Sequence, residues 1–284
     1  MSAFLHDFAA FAEANGYHMF RVTEIQGGKS ETLELHPAPR CQNSYSVAKV
    51  FTVTALGLLW DRGLLRMEDK ITDILHRFLP KSLDPRWEAI SVEDAILHKL
   101  GLPSGFLDID VENCPAYGVD FLTRIFEEPL VTDPCRTYCY TDAAYYLLSR
   151  VVAELAGMPL DDFLRKELFS PLQFAEAAWT RCPKGHAMGA TGLYLHSADM
   201  AKLGEVYLRG GLYGEKRIIS AEWAQTVLKK SYELSPIADT GAWGKRGMYG
   251  QMLLISPHTE RVVAFHGFSQ KSIGDLNLFA ARYE

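Results

Sequence analysis

Ser46-Val47-Ala48-Lys49-Val50-Phe51-Thr52-Val53-Thr54-Ala55-Leu56-Gly57-Leu58-Leu59-Trp60 is the most informative run in this chain. It reads as a helix over residues 47–62, closed by Gly63. Its residues are apolar almost all round, the pattern of a helix buried at the centre of a domain rather than lying on its surface. Ser46 and Lys49 stand three apart at its start, so the amine lies on the same face as the hydroxyl, one turn above it. A serine hydroxyl is a poor nucleophile until a nearby base takes its proton. A lysine can be that base only when neutral, and burial disfavours the ammonium. The start of a helix also offers unpaired backbone N–H groups and a positive dipole end. The bland alternative is a capping serine beside a solvated lysine. With 16 serines and 13 lysines in 284 residues, chance alone supplies about 0.7 such pairs, so the spacing does not settle the matter.

Outward from this helix, residues 3–14 carry Phe4, Leu5, Phe8, Phe11 and Ala12 at helical spacing. Residues 17–25 and 31–35, joined by Gly27-Gly28, read as a β-hairpin. A helix-rich stretch from about 71 to 180 is punctuated by prolines. Its clearest helix covers 141–155, with Asp142 as N-cap and Gly157 beyond the C-terminus. Another helix covers 198–209, and strands return at 248–255 and 261–265 around a turn at Ser256-Pro257-His258. Strands at both ends and helices between predict an α/β (α+β) fold, an antiparallel sheet flanked by helices with an inserted, mostly helical lobe. The sheet lobe is expected at 1–70 and 185–284, and the helical lobe at 71–184.

At 48% apolar and 23% charged residues, the composition is that of an ordinary globular enzyme. Net charge is −6 and the basic residues form no block, which argues against nucleic-acid binding. No apolar run approaches the ~18 residues of a membrane span, and Met1 to Asp7 shows no signal-peptide pattern. Five cysteines in a chain of this size suit reduced thiols. A cytoplasmic protein without membrane or nucleic-acid partners is expected.

Two further segments are candidates for chemistry. Tyr138-Cys139-Tyr140-Thr141-Asp142 precedes the helix at 141–155 and could present a phenol; packing and capping explain it equally well. Gly241-Ala242-Trp243-Gly244-Lys245-Arg246-Gly247-Met248-Tyr249-Gly250-Gln251 lacks the Gly-Lys-Ser/Thr ending of a phosphate loop. Glycine at the start of an edge strand instead lets a ligand approach the backbone, with Lys245 adding a cation.

Taken together and in this order, these segments resemble the serine β-lactamase and penicillin-binding-protein-like superfamily, most closely its class C β-lactamase and carboxylesterase branch. Ser46-x-x-Lys49, His98-Lys99-Leu100-Gly101-Leu102, the run from Thr137 to Gly157, Gly192-Leu193-Tyr194 through Lys202, and Lys245-Arg246-Gly247 ahead of a Gly-Gln strand fall in the family's order. The resemblance implies a serine hydrolase working through an acyl-enzyme on a small-molecule ester or amide, with no cofactor and no metal. It makes Ser46 the nucleophile, has Lys49 and Tyr140 share proton transfer, and places the oxyanion hole at the backbone N–H groups of Ser46 and Met248. Asp142, Lys245, Arg246 and Gly247 fall at substrate-binding positions. Lys245 further suggests a substrate bearing a carboxylate.

The chain also departs from the family pattern. Asp142 stands where the family has Asn, replacing an amide that can donate with an acceptor-only carboxylate. Arg246 replaces a threonine whose hydroxyl helps to bind β-lactams. These differences disfavour efficient β-lactamase activity. A weak β-lactamase or D-Ala peptidase, and a non-catalytic descendant that binds a ligand or partner, are the alternatives. Zinc at Cys135, Cys139, Cys182 and His186 is disfavoured by the wide Cys-x-x-x-Cys spacing. His98 and His196 read as structural histidines.

Overall fold

The hairpin forms from β1 (Met19–Gln26) and β2 (Lys29–Glu34), turned through Gly27 and Gly28, both at positive φ. The structure is a computed structural model that describes residues 1–111 and 114–284. Helix α1 (Ala3–Ala14) precedes the hairpin. The chain returns much later with β3 (Trp243–Arg246), β4 (Met252–Ser256) and β5 (Arg261–Gly267). Together with the two-residue strand Ser235–Pro236, these make a six-stranded antiparallel sheet in the order β2-β1-β5-β4-β3 and then 235–236. The β1–β5 pairing joins the two ends of the chain, as the strand pattern at both ends predicted.

Alternation along the strands sends side chains to two faces. Met252, Leu254, Val263 and Phe265 pack with Phe4, Leu5 and Phe8 of α1 and with Leu276, Ala280 and Ala281 of the last helix. Leu253 and Val262 face the opposite way, against the helix Ser197–Leu208. Gly204 permits this approach, because a Cβ there would lie 2.5 Å from Val262 Cγ1 and 2.9 Å from Leu253 Cδ1. Both faces of the sheet are therefore covered by helices.

Contacts divide the chain into two compact units. One comprises Met1–Val50, Leu168–Ala178 and Leu193–Glu284, and the other Phe51–Glu167 and Trp179–Gly192. The helix α2 (Ala48–Asp61) runs out of the first unit and into the second. From Val47 to Leu59 almost every described side chain is fully buried, as its apolar periphery predicted. The second unit centres on the helix Asp142–Ala156, whose residues 142–152 are all buried. Short helices at Ile71–Ile74, Val92–Ile96, Phe121–Glu127 and Leu160–Leu164 pack around it.

Local expectations need three corrections. The N-cap of the Asp142–Ala156 helix is Thr141, whose hydroxyl accepts from Ala143 N–H and donates to Phe106 O; Asp142 is the first helical residue. Its C-cap Gly157 is left-handed, as expected. The strand expected from residue 248 begins at Met252, because Gly247 N–H donates to Gln251 O and closes a loop over 247–251. Helices Ala221–Lys230 and Gly274–Arg282 lie where the sequence reading assigns no element. The first does carry local signals, with Ser220 as N-cap, Glu222 in its first turn and Lys229-Lys230 in its last, whereas the second begins at a glycine with no side-chain cap. Among the described residues, no helix is long and apolar enough to cross a membrane.

His266, on β5, is buried with neither ring nitrogen hydrogen-bonded. Burial, with smaller contributions from the charges of His196 and Arg21, depresses its pKa from 6.5 to about 3. The unfolded chain binds this proton as pH falls through about 6.5, whereas the folded chain resists until about pH 3. This histidine should therefore remove up to about 1.4 kcal/mol of stability per pH unit on going down through that window. Urea denaturation of the wild type and His266→Phe from pH 7 to pH 4 should show a shallower loss in the variant. Parallel curves would contradict a neutral buried imidazole.

Candidate active site

Ser46 lies in a 3-10 turn, Tyr45–Val47, directly before α2. The turn is fixed from several sides. Ser44 N–H donates to Leu193 O at 2.8 Å, Tyr45 N–H to Asn43 Oδ1 at 2.9 Å, and Val47 N–H to Ser44 O at 3.1 Å. Tyr45 is held in the left-handed region, at φ 47°, a conformation costly for a bulky residue. Lys49, on the first turn of α2, has no exposed surface and donates from Nζ to Ser46 Oγ at 3.2 Å. The spacing of three has brought amine and hydroxyl together as the helical geometry requires. Ser46 itself remains partly accessible.

Strand β3 packs against this turn. A Cβ on Gly247 would lie 2.8 Å from Ser44 O and 2.6 Å from Gln251 Oε1, so glycine is what lets the strand end approach the Ser46 turn. Gln251 is buried and ties the loop at both ends. Its Oε1 accepts from Tyr249 N–H at 3.1 Å, and its Nε2 donates to Gly267 O at 2.8 Å. Met248 is carried by that loop with an exposed side chain. Lys245 and Arg246 behave as neighbours on a strand should: Arg246 is exposed, while the Lys245 side chain is 15% accessible.

Lys245 also has a partner that nothing in the sequence announces. Its ammonium forms an ion pair with the carboxylate of Glu233, which is buried and left-handed at φ 65°. Glu233 follows the helix Ala221–Lys230 by three residues, in a segment with no motif. A cation expected to meet a substrate carboxylate already faces a carboxylate of its own chain.

Tyr140 and Asp142 belong to the second unit. The Tyr140 carbonyl accepts from Gly105 N–H at 2.9 Å, and its ring lies 4.5 Å from that of His98 at 30°. His98 is buried, at φ 54°, and its Nδ1 accepts from Thr141 N–H at 3.4 Å while its carbonyl accepts from Cys139 N–H at 2.8 Å. It thus organises the Tyr138–Thr141 loop. The carboxylate of Asp142 gathers with those of Asp108 and Asp110, the ligand atoms lying within 4.8 Å of one another, and Thr191 Oγ1 donates to Asp110.

The Beta-lactamase family model matches residues 42–275, and the chain belongs to that family. Over 140 residues it is 31% identical to an N-acetylmuramyl-L-alanine amidase of Bacillus subtilis, covering 46% of this chain and 31% of that protein. The matches to the first curated relatives span about a third of their lengths, 31% and 33%. Among solved structures, a penicillin-binding protein homologue from Caulobacter crescentus superposes with a TM-score of 0.76 at 15% identity, over 99% of this chain and 95% of that one. EstCE1, a hydrolase with promiscuous acyltransferase activity, superposes with a TM-score of 0.74 at 15% identity, over 99% and 98%. The chain therefore has the hydrolase fold of its family.

Gly247→Ala should press a methyl group into the Ser44 backbone and the Gln251 amide. The expected loss is about 1–3 kcal/mol of stability, typical of overpacking, measured by urea denaturation. A variant as stable as the wild type would show that the 247–251 loop yields freely and does not brace the serine turn.

Proposed function

We propose that the chain is a serine hydrolase that turns over small esters or amides through an acyl-enzyme. The observation that supports this most directly is the fully buried Lys49 amine 3.2 Å from the Ser46 hydroxyl. A buried ammonium is unfavourable, so the site suits a neutral amine able to accept the serine proton. Ser46 Oγ then bonds to the substrate carbonyl carbon as its proton passes to the Lys49 amine, with proton transfer also assigned to Tyr140 by its family position. Collapse of the tetrahedral species expels the alcohol or amine, which recovers that proton. Water repeats the sequence on the acyl-enzyme, releasing a carboxylic acid and restoring Ser46.

The developing oxyanion would be held by the backbone N–H groups of Ser46 and Met248, and such preorganised donors often supply the largest electrostatic contribution to acyl transfer. The bracing of both segments, by Asn43 and Leu193 on one side and Gln251 on the other, supports that assignment. Tyr140 enters by its family position and by the His98 platform under its ring. The five unpaired cysteines fit a reducing compartment, and we take that compartment to be the cytoplasm.

An anionic substrate, a β-lactam or D-Ala peptide among them, is the second reading, motivated by Lys245; it must contend with the carboxylate of Glu233 for that ammonium. A non-catalytic binding protein would need no buried lysine beside the serine.

Ser46→Ala should fold as the wild type and lose roughly 10³-fold or more in turnover of p-nitrophenyl acetate. Lys49→Met, which keeps the stem and removes the amine, should lose a comparable factor. Wild-type turnover in Ser46→Ala would exclude Ser46 as nucleophile.

A further inference from the structure

Resting on Ser46 as nucleophile, we infer that the site selects an uncharged substrate with an aromatic or bulky apolar group beside the scissile carbonyl. Two independent features of the first unit carry this. The first is the charge balance at β3. Of the two cations before Gly247, Arg246 is exposed on one strand face, and Lys245, 15% accessible, is neutralised internally by the Glu233 carboxylate. A substrate carboxylate arriving there would have to displace a buried carboxylate already in contact, gaining one ion pair at the loss of another. A neutral substrate meets no such competition.

The second feature is a row of rings leading away from the nucleophile. The Tyr45 ring, on the residue immediately before Ser46, meets the Tyr249 ring edge-on at 5.2 Å and 76°. Tyr249 in turn stacks on Phe268 at 4.9 Å and 27°. Phe268 is 46% exposed and Met248 44% exposed, so the row is open to solvent rather than sealed in a core. Rings and a thioether offer polarizable, low-entropy contact surface to an apolar group. Tyr45 holds its place at a backbone conformation that glycine would adopt without strain. A bulky residue kept at that position, next to Ser46 in the same turn, points to its use as a wall. Hydrogen bonds hold the backbone of all three members: Tyr45 N–H donates to Asn43 Oδ1, Tyr249 N–H donates to Gln251 Oε1 while its carbonyl accepts from Ser269 N–H, and Phe268 N–H donates to His18 O at 2.9 Å. The wall is therefore preformed.

The test follows hydrolysis of ethyl acetate, ethyl phenylacetate, benzyl acetate and monoethyl succinate by pH-stat, so that no chromogenic ring confuses the comparison. The wild type should show kcat/KM at least tenfold higher for ethyl phenylacetate or benzyl acetate than for ethyl acetate, and lowest for monoethyl succinate. Phe268→Ala should cut the ratio of kcat/KM for ethyl phenylacetate to that for ethyl acetate about tenfold, and Phe268→Leu should restore part of it. Glu233→Gln should raise the monoethyl succinate to ethyl acetate ratio about tenfold, a ratio that does not depend on how much variant folds. Equal kcat/KM across all four esters, or an unchanged aromatic preference in Phe268→Ala, overturns this inference while leaving the serine hydrolase reading intact. Absence of Ser46-dependent turnover of ethyl acetate itself would instead count against that reading.

Discussion

A lysine amine with no exposed surface, held one helical turn from a serine hydroxyl, is the constraint that organises the rest of this molecule. Burying a long, flexible, cationic side chain costs conformational entropy and solvation. It becomes tolerable when the amine is neutral or has a fixed partner. The helix that carries Lys49 must then be apolar on nearly every side, and Val50, Phe51, Val53, Ala55, Leu56 and Leu59 supply that surround. A chain without need of the amine would be more stable with leucine in its place.

Around the serine turn, rigidity comes from small polar devices rather than from bulk. Asn43 holds the Tyr45 N–H, Leu193 holds Ser44, and Gln251 spans from Tyr249 to Gly267 with a single buried amide. Gly247 removes the Cβ that would keep β3 away from Ser44. Each is inexpensive, and together they fix the serine turn and the 247–251 loop, the rigidity that the proposed oxyanion hole would require.

Much of this was legible in the sequence because it rests on periodicity and local chemistry. The all-round apolar helix after Ser46, the Gly27-Gly28 hairpin and the Gly157 C-cap each follow from short-range rules, and the strands at both ends did pair into one sheet. What escaped depends on distant partners. Thr141 rather than Asp142 caps its helix because Phe106 offers a carbonyl to the threonine hydroxyl. The strand at Met252 starts late because a five-residue loop closes on itself first. Glu233 carries no motif and lies twelve positions before Lys245, so only the fold reveals the pair. The aromatic row joins residues 45, 249 and 268, which no sequence window contains.

The most direct measurement on the central claim is intact-mass and peptide-map analysis after treatment with a fluorophosphonate, which phosphonylates an activated serine. The account predicts a single adduct on Ser46 in the wild type and a far slower adduct, or none, in Lys49→Met. Labelling elsewhere, or at the wild-type rate without the Lys49 amine, would contradict it.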